Sequence, residues 1–92
     1  MIEHEEHGQR GAFFLRKEGK RLAELTYIVE GDQVKLEHTD VDDVLRGTGT
    51  GKKLVEAAVA WARAEKRRLV PMCPFARSVF EKTPQLRDVL AP

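Results

Sequence analysis

Three glycines lie within five residues near the middle of the sequence, at Gly47, Gly49 and Gly51. The stretch behind them, 52–67, contains neither glycine nor proline and is predicted to be a helix. Glycine lets a backbone approach a ligand closely, and the first amide groups of a helix have no partners within it. A glycine loop that leads into a helix therefore predicts an anion site, with Arg46 and Lys52 adding positive charge on either side.

The spacing of this loop excludes two familiar phosphate-binding loops. The NTPase loop requires Gly, four residues and then Gly-Lys-Ser/Thr, but Arg46 and Lys53 occupy its first and last positions here. The dinucleotide fingerprint Gly-x-Gly-x-x-Gly opens a parallel βαβ unit, and this chain has Gly-x-Gly-x-Gly after a different arrangement of elements. A nucleotide-dependent switch is therefore disfavoured.

Upstream of the loop, hydrophobic and polar residues alternate and predict three strands, over 11–17, 22–29 and 33–39. The connections around Gly19 and Gly31 are short, which indicates an antiparallel meander. Residues 1–10 are polar and have no hydrophobic period. We expect them to form a flexible segment ahead of a single domain over residues 11–92.

Downstream of the loop, apolar residues recur every three to four positions and predict an amphipathic crossover helix over 52–67. Residues 69–72 are typical of a short buried strand, which after a helical crossover lies parallel to the third strand. Proline suits the first position of a helix, so a second helix is predicted over 74–82 with Cys73 near its N-cap. The predicted fold is an α/β layered domain: a three-stranded antiparallel meander, a crossover helix, a parallel strand and a second helix.

Composition narrows the choice of partners and location. The 92 residues are 41% hydrophobic and 34% charged, which suits one folded domain, and a net charge of +1 gives no case for a nucleic acid or a membrane. The basic group over 63–68 is explained by the dipole at the end of a helix. A single cysteine and an acidic N-terminus without an apolar stretch lead us to expect a cytoplasmic protein. His4 and His7 lack a third ligand, so no metal is predicted.

Arg46, Gly49 and Gly51 fit the pattern Arg/Gln-x-x-Gly-x-Gly/Ala, and here the sequence resembles the GNAT superfamily of N-acetyltransferases, whose loop holds the pyrophosphate of acetyl-coenzyme A (acetyl-CoA). The segments His-Thr-Asp-Val at 38–41 and Pro-Met-Cys-Pro-Phe at 71–75 are similar to those of its small single-domain branch. Thr48 and Thr50 depart from that branch, which often carries Lys and an aliphatic residue at these positions.

The resemblance implies a minimal acyl-CoA N-acyltransferase fold and an acetyl-CoA-dependent N-acetyltransferase activity. It implies main-chain contacts to the pantetheine arm from Thr39, Asp40 and Val41. It also implies that the pyrophosphate is held by the residues of the loop: Arg46, Gly47, Thr48, Gly49, Thr50, Gly51 and Lys52.

Two side chains are candidates for catalysis. The resemblance brings Cys73 close to the sulfur of the coenzyme, where it would protonate the departing thiolate or carry the acetyl group itself; the alternative is a buried packing residue. His38 is predicted to share its strand face with Val34 and Leu36. It would be either a structural histidine or a general base that deprotonates the incoming ammonium.

Fuller members of the superfamily carry further helices and strands that shape the acceptor pocket, and this sequence lacks counterparts to them. The acceptor side is therefore expected to be open, which favours an amine on a protein or peptide. Asp40, Asp42 and Asp43 would attract a cationic amine or form a solvated cap of the loop. The alternative function is a non-catalytic module that binds CoA or acyl-CoA.

Overall fold

The computed structural model describes all 92 residues. A five-stranded sheet has its strands in chain order: β1 (Ile2–His7), β2 (Arg10–Lys17), β3 (Lys20–Glu30), β4 (Gln33–Val41) and β5 (Arg68–Pro71). The first four strands are antiparallel, and β5 is parallel to β4. The helices are α1 (Thr50–Glu65) and α2 (Pro74–Lys82), with 3₁₀ turns at Asp43–Leu45 and Pro84–Val89. The predicted α/β fold is confirmed, and the meander has four strands rather than three.

The N-terminal strand corrects the expectation that residues 1–10 are flexible. β1 pairs with β2 along its whole length, from Ile2 opposite Leu15 to His7 opposite Arg10. The inward face of β1 carries His4, whose ring stacks on Phe13 with centroids 4.1 Å apart. His4 remains exposed although its ring covers Phe13, so the strand has no hydrophobic period for sequence reasoning to detect.

The core lies between one face of the sheet and the two helices. Leu25, Leu36 and Leu54 are fully buried in it, and one cluster joins buried residues of β2 to β5 with those of α1 and α2. α1 contributes apolar residues spaced three to four apart, the stripe that its sequence predicts. It ends at Glu65, and the next residue, Lys66, caps it in the left-handed conformation.

β4 contains a β-bulge at Glu37. The neighbouring strand pairs consecutive residues with Leu36 and His38, so Glu37 has no partner. An extra residue reverses the alternation of side chains between the two faces. Beyond the bulge Thr39 therefore faces the core, while His38 is exposed on the other face. The prediction that His38 shares a face with Val34 and Leu36 is wrong.

β4 and β5 separate after a short region of pairing. Their last paired residues are Leu36 and Pro71, and the Met72 amide donates to the Leu36 carbonyl at 2.9 Å. β4 then continues to Val41 along β3 alone. A cleft opens between the two strands at this point, and Cys73 begins α2 at its side. No helix of the structure is long and apolar enough to cross a membrane.

Candidate donor site at the glycine loop

The loop between β4 and α1 is shaped by hydrogen bonds of its acidic residues and by two left-handed glycines. Asp42 caps the 3₁₀ turn by accepting from the Val44 amide at 3.0 Å, and Asp43 pairs with Arg46 at 2.6 Å. Gly47 has φ 82° and Gly49 has φ 77°, a region that costs other residues energy. The backbone therefore makes two tight reversals before α1 begins.

Five amide groups of this loop have no hydrogen-bond acceptor within the protein: those of Gly47, Gly49, Thr50, Gly51 and Lys52. They include the first three amides of α1, which the helix cannot satisfy itself. The amide of Thr48 is different, because it donates to the Leu45 carbonyl at 3.1 Å. The predicted anion site therefore has its donors, although not from every residue of the loop.

The two threonines of the loop use their hydroxyl groups internally. Thr48 Oγ1 donates to the Leu45 carbonyl at 2.5 Å and lies 2.6 Å from Thr50 Oγ1. Thr50 is buried, with 6% of its surface exposed. These bonds hold the loop in shape, so neither hydroxyl is presented to a ligand.

A cavity of about 440 Å³ lies between the loop and α2. Six of the residues predicted to hold the coenzyme line it: Val41, Arg46, Gly47, Gly49, Gly51 and Lys52. The side chains of Thr39, Asp40, Thr48 and Thr50 do not. The opposite wall was missed by sequence reasoning and consists of one face of α2: Phe75, Ser78, Val79, Lys82 and Thr83. Their spacing of three and four residues is the only sequence signal that could have pointed to them.

Gly51 and Phe75 both line this cavity and lie in close contact with each other. A Cβ added to Gly51 would lie 2.5 Å from the Phe75 ring, well inside van der Waals contact. Phe75 nevertheless remains 43% exposed, which is unusual for a large aromatic side chain. The third glycine of the loop therefore makes room for a ring that faces the cavity.

Cys73 lies in the cleft between β4 and β5. Its Sγ accepts from the Ala76 amide at 3.4 Å and lies 3.2 Å from Thr39 Oγ1. The residue is 7% exposed and caps the N-terminus of α2, as its position before Pro74 predicts. Thr39 and Cys73 are thus brought together, although 34 residues separate them.

The remaining candidates, His38 and Asp40, lie on the other face of the sheet. Asp40 pairs with Glu24 of β3, and both line a second cavity of about 440 Å³ together with Asp42 and Arg21. Val41 lines this cavity as well as the first one. The end of β4 therefore separates a basic cavity on the helix side from an acidic one on the opposite face.

Comparison with known proteins identifies the class. The sequence profile of the GCN5-related N-acetyl-transferase family matches residues 12–89. Because this match covers most of the sequence, the chain belongs to that family. No curated protein sequence matches it.

Solved structures agree with this assignment. A GCN5-like protein from Staphylococcus aureus has a TM-score of 0.74 and 34% identity, over 97% of this chain and 87% of that chain. The ribosomal-protein-S18-alanine N-acetyltransferase from Escherichia coli has a TM-score of 0.70 and 21% identity, and the match covers 84% of this chain but only 53% of the enzyme. Aminoglycoside N-acetyltransferase AAC(6')-Iy in complex with CoA has a TM-score of 0.63 and 17% identity, over 83% of this chain and 67% of that one. The last two likenesses concern the fold.

The residues of the first cavity fit the chemistry of an acyl-CoA. A diphosphate requires several N–H donors and cations, and the loop has five such donors with Arg46 and Lys52 beside them. The apolar side chains of Val41, Phe75 and Val79 suit the uncharged part of the ligand. Family membership and this composition support acetyl-CoA-dependent N-acetyltransferase activity.

Proposed function

We propose that this protein transfers the acetyl group of acetyl-CoA to an amine of a protein or peptide. The observation that carries the proposal is the set of five unpartnered loop amides, four of them on residues that line a basic cavity, opposite the helix that Cys73 caps. Acetyl-CoA supplies the activated acetyl group. The chain itself binds the diphosphate through the loop amides and orients the donor between β4 and α2.

The acceptor side is proposed to be the face of the sheet that carries Asp40. The cavity there is open and is lined by Glu24, Asp40 and Asp42, with Arg21 as its only cationic residue. Carboxylates of this kind attract an ammonium group. An open surface admits a side chain that is attached to a larger molecule, such as a lysine of a protein, more readily than it encloses a free metabolite.

Cys73 is proposed as the catalytic residue at the reacting end of the site. It would either donate a proton to the departing thiolate or carry the acetyl group. His38 is exposed on the acceptor face of β4, where it could accept a proton from the incoming ammonium. Acetylated Cys73, detected by mass spectrometry after rapid quenching without an acceptor, would distinguish the carrier role from the acid role.

The test combines turnover and binding. Cys73→Ala is expected to lower kcat by about 10²- to 10⁴-fold, because the sulfur is removed while the loop amides remain, and to leave the Kd for CoA unchanged. Met72→Ala alters an exposed neighbour outside the cavity and is the control. Turnover is measured with acetyl-CoA and a mixture of cell peptides and free amines, whose products are identified by mass spectrometry.

The outcomes separate the proposal from its alternative. Acetylation of free small amines alone would overturn the proposed acceptor class. A wild-type protein that binds CoA but acetylates nothing in the mixture would instead favour a non-catalytic CoA-binding module.

A further inference from the structure

The α2 wall of the donor cavity carries polar groups that the loop does not require. Ser78, Lys82 and Thr83 all line the cavity, and none of them is needed to satisfy the amides of the loop. Ser78 and Lys82 are four residues apart and Thr83 follows directly, so the three lie on one side of the helix end.

Thr83 is the most informative of these residues. Only 6% of the surface of Thr83 is exposed, yet its hydroxyl makes no hydrogen bond within the protein. No fully buried side-chain oxygen or nitrogen lacks a partner, so this hydroxyl must reach accessible space. Thr83 lines the donor cavity, which is the accessible space beside its hydroxyl. Thr83 therefore offers a hydroxyl group that is available to a polar group of a ligand in the cavity.

The charges around this wall favour an anion. Lys82 and Lys52 line the cavity without an acidic partner, whereas Arg46 forms an exposed ion pair with Asp43 at 2.6 Å. A helix C-terminus normally repels anions. At the end of α2, however, the Arg87 guanidinium donates to the Phe80 carbonyl at 2.8 Å and the Glu81 carbonyl at 2.5 Å. These carbonyls are therefore covered by a cation.

CoA carries two separate phosphate groups, the diphosphate and a monophosphate on the ribose 3′ oxygen. The loop amides suit the first. We propose that Ser78, Lys82 and Thr83 bind the second, so that the site distinguishes CoA from 3′-dephospho-CoA. This inference rests on the proposed function, because it requires the cavity to be the donor site.

Binding measurements with the two ligands test the proposal. The Kd of CoA and that of 3′-dephospho-CoA are measured by calorimetry for the wild type, Lys82→Ala and Thr83→Val. Lys82→Ala is expected to weaken CoA about tenfold or more, as the loss of a charge-assisted hydrogen bond implies, and to leave 3′-dephospho-CoA unchanged. Thr83→Val keeps the shape of the side chain and is expected to weaken CoA alone, by about threefold to tenfold.

Lys53→Ala is the matched control, because this exposed lysine of α1 lies outside the donor cavity. Unfolding midpoints without ligand verify that each variant folds. Equal weakening of both ligands, no weakening of either, or equal wild-type affinities for the two would overturn the proposal. A wild-type protein that binds neither ligand would refute the donor site itself, and that result is distinct from the other three.

Discussion

At the scale of single residues, the three glycines of the loop are required for different reasons. Gly47 and Gly49 have positive φ values, at which a side chain would be strained. Gly51 lies within α1 and owes its identity to space, because a Cβ there would meet the Phe75 ring at 2.5 Å. Two of the glycines are therefore required by the backbone conformation of the loop, and the third by a tertiary contact.

Gly51→Ala is expected to weaken CoA binding by pushing the Phe75 ring into the cavity. The ring is half-exposed and free to turn away, and alanine favours a helix by up to about 1 kcal/mol over glycine. The free energy of unfolding should therefore change by less than about 1 kcal/mol. Calorimetry with CoA and urea unfolding measure the two effects.

Phe75→Ala supplies the control, because it removes the ring that the new methyl group would contact. In this background Gly51→Ala should leave CoA affinity unchanged. The same loss of affinity in both backgrounds would refute the contact as its cause.

At the scale of elements, β1 pairs with β2 along its whole length, and His4 adds side-chain contacts to the rest of the fold. His4 Nε2 lies 2.6 Å from Tyr27 Oη, and its ring packs against both Phe13 and Trp61. Partial desolvation of the ring against Phe13, Tyr27 and Trp61 lowers the pKa of His4 from 6.5, although the residue remains exposed, and Glu6 acts in the opposite direction. Burial likewise raises the pKa of Tyr27 to about 12. The neutral forms are favoured, and the two side chains share one hydrogen bond as a neutral pair.

This arrangement makes stability depend on pH. The folded pKa of His4 is below its unfolded value of 6.5, so the unfolded chain binds more protons as the pH falls through that region. The contribution of His4 is complete above pH 6.5 and is lost as the pH falls through the folded pKa. The free energy of unfolding in urea, measured from about pH 5 to pH 8, should decrease at the acidic end.

His4→Gln should reduce this acidic loss of stability. His7→Gln provides the comparison, because His7 lies on the opposite face of the same strand and is 73% exposed. A pH dependence that disappears in His7→Gln and persists in His4→Gln would contradict the assignment.

At the scale of the whole molecule, one core connects the candidate donor site to the sheet and to both helices. The radius of gyration is 12.4 Å, close to the value of about 12 Å for a compact chain of this length. Leu36 of β4, Leu54 of α1 and Val79 of α2 belong to the same cluster. Ligand binding at the loop should therefore stabilise the entire fold in one transition.

CoA at one hundred times its Kd should stabilise the protein by about 2.7 kcal/mol, which for a domain of this size raises Tm by on the order of 10 °C. Differential scanning fluorimetry with CoA, acetyl-CoA, ATP with magnesium, and NAD measures this shift. We expect it with CoA and acetyl-CoA. Stabilisation by ATP with magnesium and none by CoA would reject the donor site.

The start of α2 and the glycine loop could be predicted because their conformations depend on consecutive residues. Pro74 after Cys73 determines a helix start locally, and alternation between Ala23 and Val29 determines a strand whose face is buried. The loop pattern together with the segments at 38–41 and 71–75 carried the resemblance to the family for the same reason. Secondary-structure bounds mostly differ from prediction by one or two residues, where ends depend on capping and pairing.

Contacts between distant parts of the chain determined the features that the sequence did not predict. β1 pairs with β2 and brings His4 into contact with Tyr27 and Trp61, and the bulge at Glu37 turns His38 away from the core. Likewise, the α2 wall reaches the loop only after the crossover through α1 and β5. These features depend on tertiary contacts between side chains that are distant in the sequence, and local sequence patterns carry little information about such contacts.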